Sequence, residues 1–404
     1  MTRMLFTGGH VYDGTTGAAA EGDVVVEDGR IVEVGTDLDG DQSIDCAGGF
    51  LSPGFFDSHV HVTMDAPSQM QLVEMPFSLQ FYKAAANLAK TLDVGITSVR
   101  DAGGADQGVK EAVERGMIPG PRMQISISML SQTGGHGDDW SICGADVPFF
   151  VPHPGRPSGL VDGPQEVRKR VRELIRAGAD VIKVATTGGV LSARDDPRHP
   201  HFRDDEIAEM TAEASAAGLH VMAHAQGAGG IKAALRHGVR SIEHGIFLDD
   251  EAIELMLARG AWLVPTLHAP RAVIAAADAG LPLAEAVVEK ARMVASAHLE
   301  SVTRAHAAGV RIAMGTDCGV GPHGTNLEEL ELMVEAGLSP LEALHATTGS
   351  AAELLDVAAD RGTLRPGLRA DLVLVDGSSE DVSGLGNRVR AVFLDGREVS
   401  RRAS

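Results

Sequence analysis

His59 and His61 flank a single valine in the stretch LSPGFFDSHVH. Alternate side chains of a β-strand share one face, so both imidazoles can point the same way and grip one metal ion. Two histidines at this spacing can equally lie on an exposed strand face, so the pair needs company. Lys183, His224, His244 and Asp317 provide it, each near the end of a short run that passes into glycine or polar residues: VIKVATTGG, HVMAHAQG, SIEHG and GTDCG. Strand parity puts Val181 and Lys183 on one face, Ile242 and His244 on one face, and the small Ala313 and Gly315 below Asp317, so all six groups can point inward. Ionisable side chains gathered in a packed interior are costly without a compensating partner, and a divalent cation is one. Four imidazoles, a lysine and a carboxylate make a nitrogen and oxygen shell suited to zinc or a similar ion with open positions, which means catalysis rather than structural bracing.

The elements that must position these groups alternate. Eight strand-like runs span 55–61, 96–104, 123–130, 180–189, 220–227, 241–245, 262–269 and 311–319, and helical periodicity fills 77–92, 105–115, 164–177, 204–217, 228–237, 249–259, 283–308 and 339–355. This order predicts an α/β fold, a (β/α)8 TIM barrel over residues 55–361, whose active site lies at the carboxyl ends of the strands. Residues 1–54 and 362–404 read differently, as short β-branched runs with DG turns, and the two ends are expected to form one small sheet domain together.

The 404 residues are 44% hydrophobic, enough for one large core and a smaller companion unit. A formal net charge of -21 argues against a nucleic-acid backbone or an anionic membrane as partner. Three widely spaced cysteines, Cys46, Cys143 and Cys318, suggest neither a disulfide framework nor a CxxC site. The first residues, MTRMLFTGGHVYDG, lack the apolar stretch of a signal peptide, so a cytoplasmic protein is expected.

PGFFDSHVH, VIKVATTGG, HVMAHAQG, SIEHG and GTDCG, in that order and on those strands, resemble the metal-dependent amidohydrolase superfamily across nearly the whole chain. The resemblance implies a barrel carrying a β-sandwich made from both chain ends, and two divalent metal ions, Zn2+ by preference. His59 and His61 would bind the more buried ion and His224 and His244 the more exposed one. Lys183, carboxylated on its amine, would bridge them, and Asp317 would bind a metal and act as base. A carbamate is physically reasonable there, because an ammonium repels cations whereas a carbamate offers each an anionic oxygen; the plain alternative is a lysine paired with a carboxylate. Within the superfamily the chain looks most like the imidazolonepropionase-like branch that includes Xaa-Pro dipeptidases and arginine or lysine carboxypeptidases, in which a TGGH segment precedes a CG pair. Here those are Thr133 to His136 and Cys143-Gly144. By that likeness His136 would hydrogen-bond the substrate's carbonyl oxygen.

One departure concerns the substrate's far end. Dipeptidase-like members carry an aromatic residue after the histidine-alanine of strand 5, whereas this chain reads His224-Ala225-Gln226-Gly227. Arg156, Arg194, Arg198 and Arg203 on neighbouring loops could replace a carboxylate contact, although loop arginines are usually solvated. Of the remaining histidines, His220 should sit at the closed end; His237, His298, His306 and His345 read as surface or packing residues; His199, His201, His268 and His323 fall on or near the active-site loops. Cys318 reads as packing.

The expected reaction is cleavage of a C–N amide bond in a small molecule, such as an N-acyl amino acid, a dipeptide or a carbamate-like compound, by a metal-bridging hydroxide, with Asp317 passing the proton to the leaving nitrogen. The expected partners are that small-molecule amide and further copies of the chain in a homo-oligomer, with no nucleic acid and no membrane. A deaminase or cyclic-amide hydrolase, a lactonase or phosphoesterase, and a non-catalytic binding relative are the alternatives. Ammonia release, ester preference and absence of bound metal would respectively mark them.

Overall fold

The computed structural model describes residues 2–65, 73–141, 143–192 and 195–401. Five strands open the chain: β1 (Met4–Val11), β2 (Ala20–Glu27), β3 (Arg30–Gly35), β4 (Gln42–Asp45) and β5 (Gly49–Pro53). Then come β6 (Phe55–Val60), β7 (Ile96–Asp101), β8 (Arg122–Ile125), β9 (Met129–Leu130), β10 (Val181–Ala185), β11 (His220–Gly227), β12 (Ser241–Phe247), β13 (Trp262–Val264) and β14 (Arg311–Ile312). β15 (Leu372–Asp376), β16 (Val389–Leu394) and β17 (Arg397–Arg401) close it.

Both chain ends share one eight-stranded sheet, in the order β17-β16-β15-β5-β1-β2-β3 with β4 paired to β1. The ends meet where β15 runs antiparallel to β5, Val373 opposite Ser52. The DG signals mark hairpins as expected: Asp28-Gly29 joins β2 to β3 and Asp395-Gly396 joins β16 to β17, all four at positive φ, the backbone a tight hairpin turn requires. One face of this sheet buries Phe6, Ile31, Leu51, Leu374 and Phe393, with the Phe6 and Phe393 rings edge to face at 5.0 Å.

The strands between are all parallel and alternate with helices, a TIM-barrel type of order, in two sheets, β6-β7-β8 and β9-β10-β11-β12-β13-β14. Beyond β14 the chain runs alongside β6: Ser58 N donates to Met314 O at 2.9 Å, Asp317 N to His59 O at 2.7 Å and His61 N to Cys318 O at 2.7 Å. These bonds bring the histidine pair and the aspartate together.

Three strand expectations need correction, the first being the run 311–319, of which only Arg311–Ile312 is regular strand. The run 123–130 is interrupted, because Ile127 takes a positive φ of 68° and splits it into β8 and β9. The run 262–269 ends at Val264; Thr266 turns left-handed at φ 55°, and His268 already begins the helix His268–Asp278. The helical reading of 339–355 covers two short helices, Pro340–Ala346 and Gly349–Leu354, and the helix Glu328–Glu335 had no counterpart in the periodicity. Among the described residues no helix is long and apolar enough to cross a membrane.

Candidate metal centre and active-site cavity

One cavity at the strands' carboxyl ends is lined by all seven residues singled out from the sequence: His59, His61, Lys183, His224, His244, Asp317 and His136. Lys183 and His224 arrive by plain alternation from β10 and β11. Val181 and Met222, two residues back along each strand, lie together inside with Ala102, while Ile182, Val184 and Ala223 pack outward among helix residues. The parity expectation fails on β12. Ile242 packs with Ile231, Leu235 and Met256 of the helices, and the inward residues are Ser241 and Glu243, both bonded to Arg100. His244 reaches the cavity because it leaves strand geometry at φ 72°, and Asp317 likewise sits at φ 60°. Histidine and aspartate are among the residues that tolerate the left-handed region best, and such strain is characteristic of sites.

Each histidine is tethered through one ring nitrogen. His59 Nδ1 lies 2.8 Å from Glu243 Oε2, His61 Nδ1 2.8 Å from Gly103 O, His224 Nε2 3.0 Å from Gly188 O, and His244 Nδ1 2.6 Å from Thr266 Oγ1. Such tethers fix ring orientation and leave the other nitrogen for a ligand. Inward, His61 Nε2 and His59 Nε2 approach Asp317 Oδ1 at 3.3 and 3.5 Å, and Lys183 Nζ stands 3.2 Å from His59 Nε2. The ring of His224 lies 4.6 Å from that of His244 and 4.1 Å from that of His136, which is stacked on it.

Burial and mutual charge dominate the electrostatics. Burial, reinforced by Lys183, His136 and neighbouring imidazoles, pushes the pKa of His59, His224 and His244 well below the usual histidine value. Burial alone would do the same to His61, but Asp317, together with Asp101 and the Gly103 carbonyl, outweighs it and moves His61 up. Burial works against the charge of Asp317 too, yet His59, His61 and Lys183 hold its carboxyl below the ordinary range. Burial brings Lys183 down to about 8.

The donor set fits a cation. Ligand atoms of His59, His244 and Asp317 all lie within 4.8 Å of one another. Asp317 Oδ1 is buried without a hydrogen-bond partner among the described residues, since its imidazole neighbours are near but poorly aligned. A buried, unmatched carboxylate oxygen facing imidazole nitrogens is what a divalent ion satisfies. Among the described residues no carboxylate lies within ion-pair distance of Lys183 Nζ, although Glu243 and Asp317 act on it through space.

Of the four loop arginines, the three that are described do not line this cavity. Arg156 is fully buried and spent on Gln80 Oε1, Val151 O and Gly104 O; Arg198 pairs with Asp196 in solvent; Arg203 precedes the helix Asp204–Ala216; Arg194 lies outside the described residues. The cavity's far wall is apolar instead, with Val190, Ile246, Val273, Val294 and Val320 in one buried cluster and Phe150 stacked on His61 at 5.1 Å. His323 backs the site, 3.3 Å from the carbonyl of His61 and 3.1 Å from that of Met64, and His268 bonds Thr325.

Sequence reasoning missed three contributors. Glu243 holds His59 and is itself held by Arg100 at 3.0 Å, all three side chains buried. The glutamate stood beside His244 in SIEHG, but the mistaken parity turned it outward. His298, set aside as a surface or packing residue, lines the cavity and donates from Nε2 to the His244 carbonyl at 2.9 Å; burial pushes its pKa down to about 4.

Residues 50–399 match the amidohydrolase family, and the chain belongs to it. It is 36% identical to ochratoxinase of Aspergillus niger over 344 residues, 81% of this chain and 70% of that protein. It is 28% identical to imidazolonepropionase of Cutibacterium acnes over 376 residues, 87% of this chain and 82% of that one. Among solved structures, a Xaa-Pro dipeptidase with bound methionine in its active site superposes with a TM-score of 0.91 at 31% identity, over 98% of this chain and 99% of that. The protein is therefore a hydrolase acting on carbon–nitrogen bonds, and its family is generally metal-dependent.

Proposed function

We propose that the protein hydrolyses the amide bond of a small molecule, an N-acyl amino acid, a dipeptide or a carbamate-like compound. The observation that carries this reading is the convergence of four imidazoles, Lys183 and Asp317 on one cavity at the strand ends. In the same reading the two parallel sheets form one eight-stranded barrel, β8 and β9 counting as one interrupted strand, and the shared end sheet folds over as a β-sandwich. His59 and His61 would hold one divalent ion, His224 and His244 a second, and Lys183, as a carbamate, and Asp317 would complete the set, with zinc the expected metal. Such a pair supplies Lewis acidity toward a carbonyl and brings the pKa of water toward neutrality.

The chain's own residues do the rest. Asp317, its Oδ1 lacking a hydrogen-bond partner, takes a proton from the attacking water and delivers it to the leaving nitrogen. His136, at the cavity mouth, contacts the substrate's amide group. The wall of Val190, Ile246, Val273, Val294 and Val320 receives an apolar or aromatic substituent and excludes water from the reacting bond. The similarity to ochratoxinase and to a Xaa-Pro dipeptidase accords with an amide substrate.

The test is metal analysis combined with amine release from a panel of N-acyl amino acids and dipeptides. Two divalent ions per chain, hydrolysis lost on chelation and regained on adding zinc, and a Lys183→Ala variant that binds one ion fewer until a short carboxylic acid is added are expected. Metal-replete protein that cleaves matched esters but no amide would sink the reading.

A further inference from the structure

The histidine at the mouth is held by a device that the metal chemistry does not explain. His136 sits on the loop between β9 and the helix Gly163–Arg176, with its Nδ1 2.7 Å from the Ser192 hydroxyl. That hydroxyl makes a short hydrogen bond to Asp195 Oδ1. Asp195 in turn accepts from Gly189 N at 3.1 Å and from Lys290 Nζ at 3.2 Å, and the same ammonium also donates to the carbonyls of Gly189 and Asp195 at 2.7 and 3.0 Å. Asp195 and Lys290 side chains are only 4% and 14% exposed, so a buried ion pair on the helix Glu285–Ala307 anchors the loop after β10. The ring itself is clamped. One face stacks on His224, and a Cβ on Gly189 would stand 2.2 Å from its Cε1.

His136 Nδ1 also stands 3.6 Å from Asp195 Oδ2, so the carboxylate acts on the ring directly as well as through the hydroxyl, and both routes ask Nδ1 to donate. An ionised carboxylate only accepts, and a hydroxyl has a single proton to give. Burial opposes the charge of Asp195, but His136, Ser192 and Lys290 bring its carboxyl down to about 2, so it is ionised at neutral pH. The Ser192 proton therefore goes to Asp195, and Ser192 Oγ must accept from His136 Nδ1–H. Nε2 is then the ring's remaining polar atom, on a residue that lines the cavity.

We propose that Asp195, anchored by Lys290 and acting directly and through the Ser192 hydroxyl, is a positioning residue that fixes His136 with Nδ1 protonated and Nε2 presented to the substrate. In the singly protonated ring Nε2 offers a lone pair to an N–H or O–H of the substrate; in the doubly protonated ring it offers a proton to a carbonyl oxygen. Either use depends on the same held orientation.

The rate arm of the test rests on the amide-hydrolase reading; the spectroscopic arm does not. In zinc-loaded protein with 15N-labelled histidine, the His136 ring signals, assigned by their loss in His136→Ala, should show a protonated Nδ1. Ser192→Ala, which leaves the Asp195–Lys290 pair intact, and Asp195→Asn should both shift that signature toward a protonated Nε2. With hippuryl-L-phenylalanine as probe, each variant should lose roughly 10- to 100-fold in kcat/KM, as partners of site histidines commonly do. In a His136→Ala background that further loss should vanish, because a residue acting through another is non-additive with it. An unchanged tautomer in both variants, or losses that multiply in the double variants, would overturn the proposal. No amide hydrolysis by the wild type with the expected tautomer shift would sink the substrate reading and leave the positioning role standing.

Discussion

His59 at the floor of the cavity and His136 at its mouth are held by the same chemical sequence, an imidazole Nδ1 leading to a carboxylate that is neutralised by a buried cation. At the floor the chain is His59, Glu243 and Arg100; at the mouth it is His136, Ser192, Asp195 and Lys290. The floor is built on strands β6, β7 and β12, with direct contact and side chains at most 4% exposed. The mouth is built on two loops and one helix, and its carboxylate stands farther from the imidazole, at 3.6 Å, with a hydroxyl bridging the two more closely. Regular strands can deliver a charged side chain straight to its partner, whereas loops reach the same electrostatic end with extra parts. On the proposed function, the floor should bear on global stability and the mouth on the geometry of the substrate.

The largest effect should come from breaking the floor. Glu243→Gln removes the counter-charge of the buried Arg100, and denaturant unfolding should show a loss of about 3–5 kcal/mol, the usual consequence of stranding one member of a buried pair. A loss below about 1 kcal/mol would erase the contrast. Next comes the mouth. Gly189→Ala keeps an allowed backbone but places a methyl against the His136 ring, so kcat/KM should fall on the order of 100-fold, the effect of about 1 Å of misplacement, while unfolding stays nearly unchanged. A coincident fall in stability would show that the mouth is not the independent unit described. The smallest effect is chemical. Cys318, beside Asp317 at the floor, has its thiol pushed well up by burial, and burial moves Cys46 up to about 11, whereas Cys143 is exposed on the mouth loop. Iodoacetamide at pH 8 should alkylate Cys143 alone in folded protein and all three cysteines after denaturation, read by mass spectrometry.

The legible part of the molecule followed from local rules. HxH, the polar residue ending an apolar run and the DG hairpins each speak through neighbours in sequence, and β11 appears from His220 to Gly227 with the bounds its pattern marked. The illegible part was long-range or lay in single dihedrals. Glu243 meets His59 across 184 positions and Arg100 across 143, which no local pattern encodes. Left-handed residues at Ile127 and Thr266 broke runs whose composition reads as continuous strand, and a left-handed His244 inside β12 upset its alternation. Arg156 looked like a solvated loop residue because its burial depends on Gln80 and Gly104, far away in the chain.

β5 and β6 are separated only by Gly54, whose amide is fastened to Asp371 O at 2.7 Å, and β5 lies against β15. The segment that delivers His59 is therefore clasped by a strand that leaves the ribosome about 320 residues later. At ordinary synthesis speeds the nascent amino-terminal edge waits roughly 15 to 60 s for that clasp. During this interval the unfinished polypeptide exposes an unpaired β-edge to other chains and to chaperones.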